Sequence, residues 1–184
     1  RNKVTIWNTV PALMGILTSE LERRSDRGKK NTIPMRVVLM SGDWISVQLP
    51  REITNIFGDI NVVSLGGATE ASIWSIAYDI DTNREYAAHI PYGYPLRNQK
   101  MYVLSDSREF LPKNVEGDIY IGGVGVADGY QNDQKQTDVA FINHKTLGRI
   151  YRTGDRGYIS DEGCMEFCGR QDMQVKINAV SYTH

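Results

Sequence analysis

Glu70 lies behind a glycine turn that ends an apolar run, in the stretch VVSLGGATE (62–70). Glycine lets the backbone approach a phosphate closely, and exposed backbone amides then face the anion. A carboxylate at the same place would repel phosphate unless a divalent cation lay between the two groups. The stretch therefore suggests a phosphate site in which Glu70 binds magnesium. The alternative is a plain strand-end turn, which is the more frequent use of such residues.

Asp155 and Arg170 are two further candidates, in the stretch YRTGDRGYISDEGCMEFCGRQDMQVKI (151–177). We expect Asp155 to lie in a tight Thr-Gly-Asp turn between two strands, where its carboxylate could accept hydrogen bonds from a vicinal diol such as ribose. Arg170 follows the last strand, and its fork of donors could reach a sugar or a phosphate. The alternative for Asp155 is an ordinary surface ion pair with Arg152 or Arg156.

The stretch GGVGVADGY (122–130) has the glycine content of a dinucleotide-binding fingerprint but not its spacing. After Gly125, Asp128 stands where the third glycine should fall, and the following residues do not form a clean crossover-helix pattern. A glycine-rich turn after a strand is the better interpretation.

The first half of the chain must supply the elements that hold these residues. Helical spacing of apolar residues predicts a helix at about residues 10–21, and a β-branched run at 35–42 predicts a buried strand. An amphipathic pattern after Pro50 predicts a second helix that ends at Gly58, and INVVSLGG (60–67) reads as another strand. This order is typical of a parallel βαβ unit, whose ligands bind beyond the carboxyl ends of the strands.

After about residue 90, short strands are separated by glycine and aspartate turns, and SDEG (160–163) is a hairpin signal. This pattern predicts an antiparallel, barrel-like β portion packed against the α/β half. We therefore expect an α/β fold whose first part is 1–90 and whose second part is 91–170.

The composition is that of an ordinary globular protein, with 41% hydrophobic residues, 23% charged residues and a net charge of -1 over 184 residues. No apolar run approaches the roughly 20 residues needed to span a membrane, and no basic block indicates a nucleic-acid surface. The two cysteines, Cys164 and Cys168, suggest neither a disulfide framework nor a zinc site. We expect a cytoplasmic protein with no nucleic-acid or membrane partner. The missing initial methionine and the abrupt end NAVSYTH suggest a piece of a longer polypeptide.

Four motifs in order, GGATE, GDIYIGGVGVADGY, YRTGDRGYISDEGCMEFCGR and GRQDMQVKI, resemble the adenylation domain of nonribosomal peptide synthetases. These domains belong to the adenylate-forming superfamily of acyl-CoA synthetases and luciferases. The resemblance spans about residues 4–178. It implies the C-terminal part of the large lobe, with a parallel βαβ sheet layer and then an antiparallel β portion. By position, Asp172 matches the hinge about which the small C-terminal lobe swings, and 171–184 would begin that lobe.

The resemblance also implies a reaction. An amino-acid carboxylate attacks the α-phosphate of ATP in the presence of Mg²⁺, which gives an aminoacyl-adenylate and pyrophosphate. The acyl group then passes to a phosphopantetheine thiol on a carrier domain. The implied partners are therefore an amino acid and the carrier and condensation or cyclisation domains of a parent synthetase.

Individual residues can be matched to the motifs of the family. Thr69 resembles the phosphate-contacting threonine, Glu70 the magnesium ligand and Asp155 the ribose-binding aspartate. Phe167 matches an aromatic residue that lines the nucleotide site, and Arg170 an arginine that contacts ribose or phosphate. Of these, Thr69, Glu70 and Arg170 would be the catalytic residues. The other candidates for nucleotide binding are Gly42, Gly66, Gly67 and Ala68.

Two departures from the family pattern stand out. Many relatives have a tyrosine that stacks on adenine where this chain has Gly66, so the stacking must come from elsewhere or be weaker. After QVKIN, the tail AVSYTH does not follow the usual continuation of the family.

Six positions match the substrate pocket of the family. As a set they resemble the pocket of cysteine-activating domains, as found in thiazoline-forming synthetases. The resemblance is physically plausible, since the apolar members would make a compact pocket and the two polar members could hydrogen-bond a small polar group. Serine or threonine is the rival substrate, since a thiol and a hydroxyl differ little in size. Taken singly, the aliphatic members could simply be strand core. The six positions are Asn8, Leu39, Ser41, Leu65, Ile73 and Trp74.

Three parts that the family needs are missing from the chain: a phosphate loop ending in lysine, an ammonium-binding aspartate and the lysine of the small lobe. We therefore expect the chain to be inactive by itself, as half of a larger lobe. Two other functions remain open, an acyl- or aryl-CoA ligase of the same superfamily and a non-catalytic scaffold that binds carrier or partner domains.

Overall fold

The computed structural model describes residues 3–25, 33–170, 175–177 and 180–182. The predicted hinge, Asp172, lies outside these residues. The chain forms two compact units. The first contains the described residues up to Leu65, then Tyr78–Ile90 and the two strands after residue 174, and the second contains Gly66–Ala77 and residues 91–170.

The first unit is built on a parallel sheet with helices in the crossovers. Strand β1 pairs in parallel with β2, and β2 pairs in parallel with β3. The predicted βαβ motif is confirmed as β2-α2-β3, and another motif of the same kind, β1-α1-β2, precedes it. These elements are β1 (Ile6–Thr9), α1 (Pro11–Ser25), β2 (Val37–Ser41), α2 (Leu49–Phe57) and β3 (Asn61–Gly66).

One face of this sheet packs against the helices. Val38 and Met40 of β2 are fully buried, together with Met14 of α1 and Ile53 of α2. Because side chains alternate along a strand, the residues between Val38 and Met40 point to the opposite face. Not every apolar residue of α1 lies in the core, since Leu13 is 59% exposed.

Two short strands follow along the chain, β4 (Ile76–Asp79) and β5 (Tyr94–Pro95). Strands β4 and β5 pair antiparallel. A three-residue 3₁₀ helix (Thr69–Ala71) lies in the connection between β3 and β4.

The second unit contains an antiparallel sheet of order β10-β9-β7-β6, with β8 also paired to β9. Buried aliphatic residues of β7, such as Ile119 and Ile121, form its core. The predicted antiparallel half is thus confirmed. The elements are β6 (Gln99–Leu104), β7 (Gly117–Gly123), α3 (Gln134–Ala140), β8 (Phe141–His144), β9 (Gly148–Ile159) and β10 (Met165–Arg170).

A separate antiparallel pair follows, formed by β11 (Val175–Ile177) and β12 (Val180–Tyr182). Among the helices of the described residues, none combines the length and the apolar character that a membrane span requires.

The predicted tight turn at Thr153–Asp155 is wrong. These residues lie inside β9, a continuous strand of 12 residues. The register against β7 shifts here, so they form a bulge, and Gly154 has φ of +77°. The Thr153 hydroxyl donates to the Ile119 carbonyl (2.8 Å) and accepts from the Asp155 amide (3.0 Å), which holds the bulge while pairing continues on both sides.

Candidate functional site

The glycine loop after β3 is closed by its own backbone. The Ser75 amide donates to the Gly66 carbonyl over 2.8 Å. Gly67 has φ of +145°, and a Cβ atom added there would lie 2.6 Å from the carbonyl oxygen of Ile73. Only glycine fits this position without strain, which gives the predicted glycine turn a steric reason.

The residues after Glu70 are backbone-strained. Ser72 and Ile73 have φ of 62° and 70°, and a positive φ is rare for a β-branched residue such as Ile73. Two long-range bonds hold this segment to the glycine-rich turn at 122–130. The Ser72 hydroxyl donates to the Gly125 carbonyl (3.0 Å), and the Ala127 amide donates to the Glu70 carbonyl (2.9 Å). Strain of this kind persists only where the surroundings fix it, so the backbone at Glu70 has a defined position.

A tyrosine hydroxyl holds the carboxylate of Glu70. Tyr130 Oη donates to Glu70 Oε1 over 2.6 Å. Burial and this bond raise the pKa of Tyr130 to about 12, so the hydroxyl keeps its proton at neutral pH and remains a donor. The Tyr151 hydroxyl interacts with both groups, and burial followed by the charge of Glu70 raises the pKa of Tyr151 as well.

Neighbouring side chains fix the two tyrosines. The Phe141 ring packs against both, with its centroid 5.4 Å from that of Tyr130 and 5.2 Å from that of Tyr151. The Thr137 hydroxyl of α3 accepts from the Tyr130 amide (2.8 Å). Arg149 of β9 lies over the Phe141 ring and donates to the Ala127 carbonyl (3.2 Å), which ties the 122–130 turn to the sheet.

Sequence reasoning missed Tyr130 and Tyr151 as site residues. Tyr130 ends the stretch that was rejected as a dinucleotide fingerprint, and that rejection agrees with the turn observed there. Nothing in the spacing connects Tyr130 with Glu70, which lies 60 residues earlier in the chain. The one usable signal is that a tyrosine directly follows the glycine turn.

Asp155 and Arg170 lie side by side on β9 and β10. They are cross-strand partners, and Arg170 Nη1 is 3.2 Å from Asp155 Oδ1. Arg152 and Arg156, the alternative partners from the sequence, approach the buried Asp118 at 2.8 and 3.5 Å. Asp155 is buried to 8% relative exposure, so its carboxylate is partly desolvated as well as paired.

Phe167 lies on the same strand as Arg170, and its ring packs against that of Tyr92, with centroids 5.6 Å apart. The Tyr92 hydroxyl is hydrogen-bonded to the Gly67 backbone. The glycine loop and the β9-β10 hairpin are therefore linked within the second unit through a residue that the sequence did not single out.

Four of the six predicted pocket positions share one face of the parallel sheet. Asn8 is the register partner of Leu39, and Ser41 is the register partner of Leu65. Leu39 and Ser41 are two residues apart on β2, so all four point away from the face that packs the helices. Leu39, Ser41 and Leu65 are half-buried and Asn8 is exposed.

The remaining predicted residues have these positions. Ile73 is 64% exposed and Trp74 is half-buried in the strained segment of the second unit, where Thr69 is exposed. Ala68 is extended and precedes the 3₁₀ helix. Gly42 belongs to the first unit, where it is exposed after β2 with φ of 91°.

Glu70 is compatible with magnesium as a single protein ligand. Within the described part of the chain, no three His, Cys, Asp or Glu side chains are grouped so that they could hold a metal by themselves. Magnesium in nucleotide sites typically uses one or two carboxylates and completes its shell with substrate phosphates and water. The residue that would hold it here is Glu70, oriented by Tyr130.

Comparison with known proteins gives the family of the chain. Residues 1–131 match the family model described as AMP-binding enzyme. Bacitracin synthase 1 of Bacillus licheniformis is 49% identical over 177 residues, which is 96% of this chain and 3% of that protein. The pyochelin synthetase PchF of Pseudomonas aeruginosa is 45% identical over 96% of this chain and 10% of its own length. The chain thus spans a small part of these relatives.

The fold also matches solved structures. The nonribosomal peptide synthetase FmoA3 (S1046A), in its α-methyl-L-serine-AMP bound form, aligns with a TM-score of 0.85 and 35% identity over 93% of this chain and 19% of that chain. Its AMPPNP-bound form aligns with a TM-score of 0.84 and 33% identity over 92% of this chain and 18% of that chain. Since the family model covers well over half of the chain, the protein belongs to the AMP-binding enzyme family, with nonribosomal peptide synthetases among its relatives in sequence and structure.

Proposed function

We propose that this chain is part of an adenylation domain that activates an amino acid, with cysteine favoured, as an aminoacyl-adenylate. One observation carries the proposal: two sets of residues occur together in the second unit. The first set is Glu70, which Tyr130 orients, with the glycine loop before it. The second set is the Asp155–Arg170 pair on the β9-β10 hairpin. The bound forms of FmoA3 support the same class of reaction, because one holds an aminoacyl-AMP and the other an ATP analogue.

In the proposed reaction, a carboxylate oxygen of the amino acid attacks the α-phosphorus of ATP. A new oxygen–phosphorus bond forms, and the bond to the bridging oxygen breaks with pyrophosphate as the leaving group. Asp155 accepts hydrogen bonds from the ribose diol, and Arg170 donates to ribose or phosphate while it also neutralises Asp155. The exposed Thr69 contacts phosphate beside the Gly67 turn. Magnesium, when bound, would lower the repulsion between the phosphates and their attacker.

The amino acid would lie against the sheet face of the first unit formed by Asn8, Leu39, Ser41 and Leu65. The match to the family's pocket adds Ile73 and Trp74 as residues that affect selectivity. Half-buried aliphatic residues favour the apolar thiol of cysteine, while Ser41 could bond either a thiol or a hydroxyl. Serine remains the rival, and the aminoacyl part of the FmoA3 complex is a serine derivative. The acyl group would then pass to a phosphopantetheine thiol of a carrier domain, in a synthetase with condensation or cyclisation domains.

Exchange of pyrophosphate into ATP by the full-length protein tests the proposal. We expect exchange to depend on cysteine, to be weaker with serine and threonine, and to be absent with benzoates and fatty acids. Exchange with the acyl or aryl acids alone would identify a CoA-ligase type of enzyme. A full-length protein with no amino-acid-dependent exchange would contradict the enzyme proposal and favour a scaffold.

Trp74→Ala is expected to reduce amino-acid selectivity. Loss of a half-buried aromatic side chain should lower the ratio of kcat/KM for cysteine over serine by roughly tenfold, which is the lower end of the effect of one methylene group in an apolar pocket. The measurement is exchange with each amino acid, and Trp7→Ala on the opposite face of β1 is the matched control. An unchanged ratio would remove Trp74 from the pocket.

Tyr130→Phe is expected to raise the Mg²⁺ concentration for half-maximal exchange by roughly tenfold, because groups that orient a metal ligand typically matter by that order. The change removes the 2.6 Å bond to Glu70 and keeps the ring that packs on Phe141. Binding of Mn²⁺ with ATP, followed by electron paramagnetic resonance, should weaken in parallel. Tyr102→Phe, a half-buried tyrosine of β6, is the control, and equal behaviour of the two variants would contradict the role of Tyr130.

A further inference from the structure

Tyr92 occupies the space into which a side chain at position 66 would extend. A Cβ atom added to Gly66 would lie 2.1 Å from Cε2 and 2.6 Å from Cζ of the Tyr92 ring. Real Cβ atoms do not come this close to another atom, so the tyrosine ring and any larger residue at position 66 exclude each other. The Tyr92 ring can therefore take this position only because residue 66 is a glycine.

Three of the predicted nucleotide-binding elements meet at Tyr92. Its hydroxyl is bonded to the Gly67 backbone, and its ring packs against Phe167 at a centroid distance of 5.6 Å and an angle of 50°. After burial, the charge of Asp155 is the next cause that raises the pKa of Tyr92, so this carboxylate lies close to the hydroxyl. Tyr92 as a whole residue is half-buried, so the protein does not enclose it completely.

We propose that Tyr92 is the aromatic residue of the nucleotide site and contacts the purine base of ATP. This inference rests on the proposed adenylation function. An aromatic ring can stack on any nucleobase, because every base has a π-face. Tyr92 provides such a ring next to the residues proposed to bind ribose and phosphate, and it does so at the place where Gly66 itself offers no side chain.

The test compares binding of ATP and of ribose 5-triphosphate, which lacks the base, by isothermal titration calorimetry on the full-length protein. Tyr92→Leu should weaken ATP roughly tenfold or more, the range found for loss of one base–aromatic stack, and leave ribose 5-triphosphate unchanged. Tyr94→Leu, the same change two residues away in β5, should affect neither ligand. Equal losses for both ligands would overturn the proposal, because they would indicate a general distortion of the glycine loop.

A second pair of variants tests the shared space. Gly66→Tyr alone should weaken ATP, because its side chain has to displace the Tyr92 ring. Gly66→Tyr combined with Tyr92→Ala should bind ATP at least tenfold more tightly than Tyr92→Ala alone, since the new ring would fill the same space. If the double variant binds ATP no more tightly than Tyr92→Ala alone, the idea that a ring at position 66 can replace the Tyr92 ring is wrong.

Different results would contradict the assignment of Tyr92 and the proposed function. If the unmodified full-length protein binds ATP but Tyr92→Leu binds it equally well, the assignment of Tyr92 is wrong and the proposed function stands. If the unmodified protein binds neither ATP nor ribose 5-triphosphate, the proposed function itself is wrong, and the inference falls with it.

Discussion

Glu70→Gln is expected to lower amino-acid-dependent pyrophosphate exchange by roughly 100-fold or more, as the loss of a charge stabiliser at a transferring phosphoryl group typically does. The Mg²⁺ concentration that gives half-maximal exchange should rise as well. Glutamine keeps the size of the side chain and still offers an oxygen to the Tyr130 hydroxyl. A lower exchange rate would therefore result from the missing charge and not from a disrupted glycine loop.

Glu109→Gln is the matched control for this experiment. Glu109 is exposed and pairs with Lys145 at 2.8 Å on the surface of the same unit. Exposed ion pairs contribute little, so this variant should behave like the unmodified protein. If Glu70→Gln keeps the Mg²⁺ dependence of the unmodified protein, the metal assignment fails, whatever happens to the rate.

Asp155→Asn is expected to raise the Kd for ATP by roughly 10- to 100-fold, which corresponds to about 1.5–3 kcal/mol for a hydrogen bond to a charged group. Asp155 is proposed to accept from the ribose diol while Arg170 holds its other side at 3.2 Å. Binding of 2′,3′-dideoxy-ATP gives the discriminating measurement. This nucleotide lacks the diol, so the variant and the unmodified protein should bind it with similar affinity.

Two results would contradict the ribose role of Asp155. One is a loss that appears only in amino-acid binding, and the other is an equal loss for ATP and its dideoxy analogue. Because Asp155 is buried and paired, thermal unfolding of the variant should be recorded alongside binding. Asp138→Asn, on the exposed side of α3, is the control for loss of one carboxylate.

Much of the fold could be predicted, because the apolar residues that recur at strand or helix spacing are mostly the ones that the folded chain buries. The β7 stretch GDIYIGG is bounded by glycines. Helix α2 starts beside a proline and ends at Phe57, directly before Gly58, whose φ is 82°. Helix α3 could not be found in this way, because QKQTDVA has no apolar stripe and Val139 is 60% exposed. Its available signal was Asp133, whose side chain caps the helix by accepting from the Gln136 amide (2.9 Å).

The error at Thr153–Asp155 has a related cause. Glycine beside aspartate is a strong turn signal, yet the same residues can form a bulge when strands on both sides continue the pairing. Which of the two occurs depends on Ile119, whose carbonyl receives the Thr153 hydroxyl from 34 residues away. Local composition contains no information about such a partner.

The sequence by itself determined the family resemblance, the two kinds of sheet and the candidate residues at strand ends, because periodicity and glycine turns act over a few neighbouring residues. Only the tertiary structure decided how those residues are held. Tyr130 bonds to Glu70, which lies 60 residues earlier in the chain. Tyr92 fills the space beside Gly66, which lies 26 residues earlier. The physical reason is that a hydroxyl–carboxylate bond or a ring packed against a glycine depends on distances in space, which the pairing of β-strands sets and the order of residues does not.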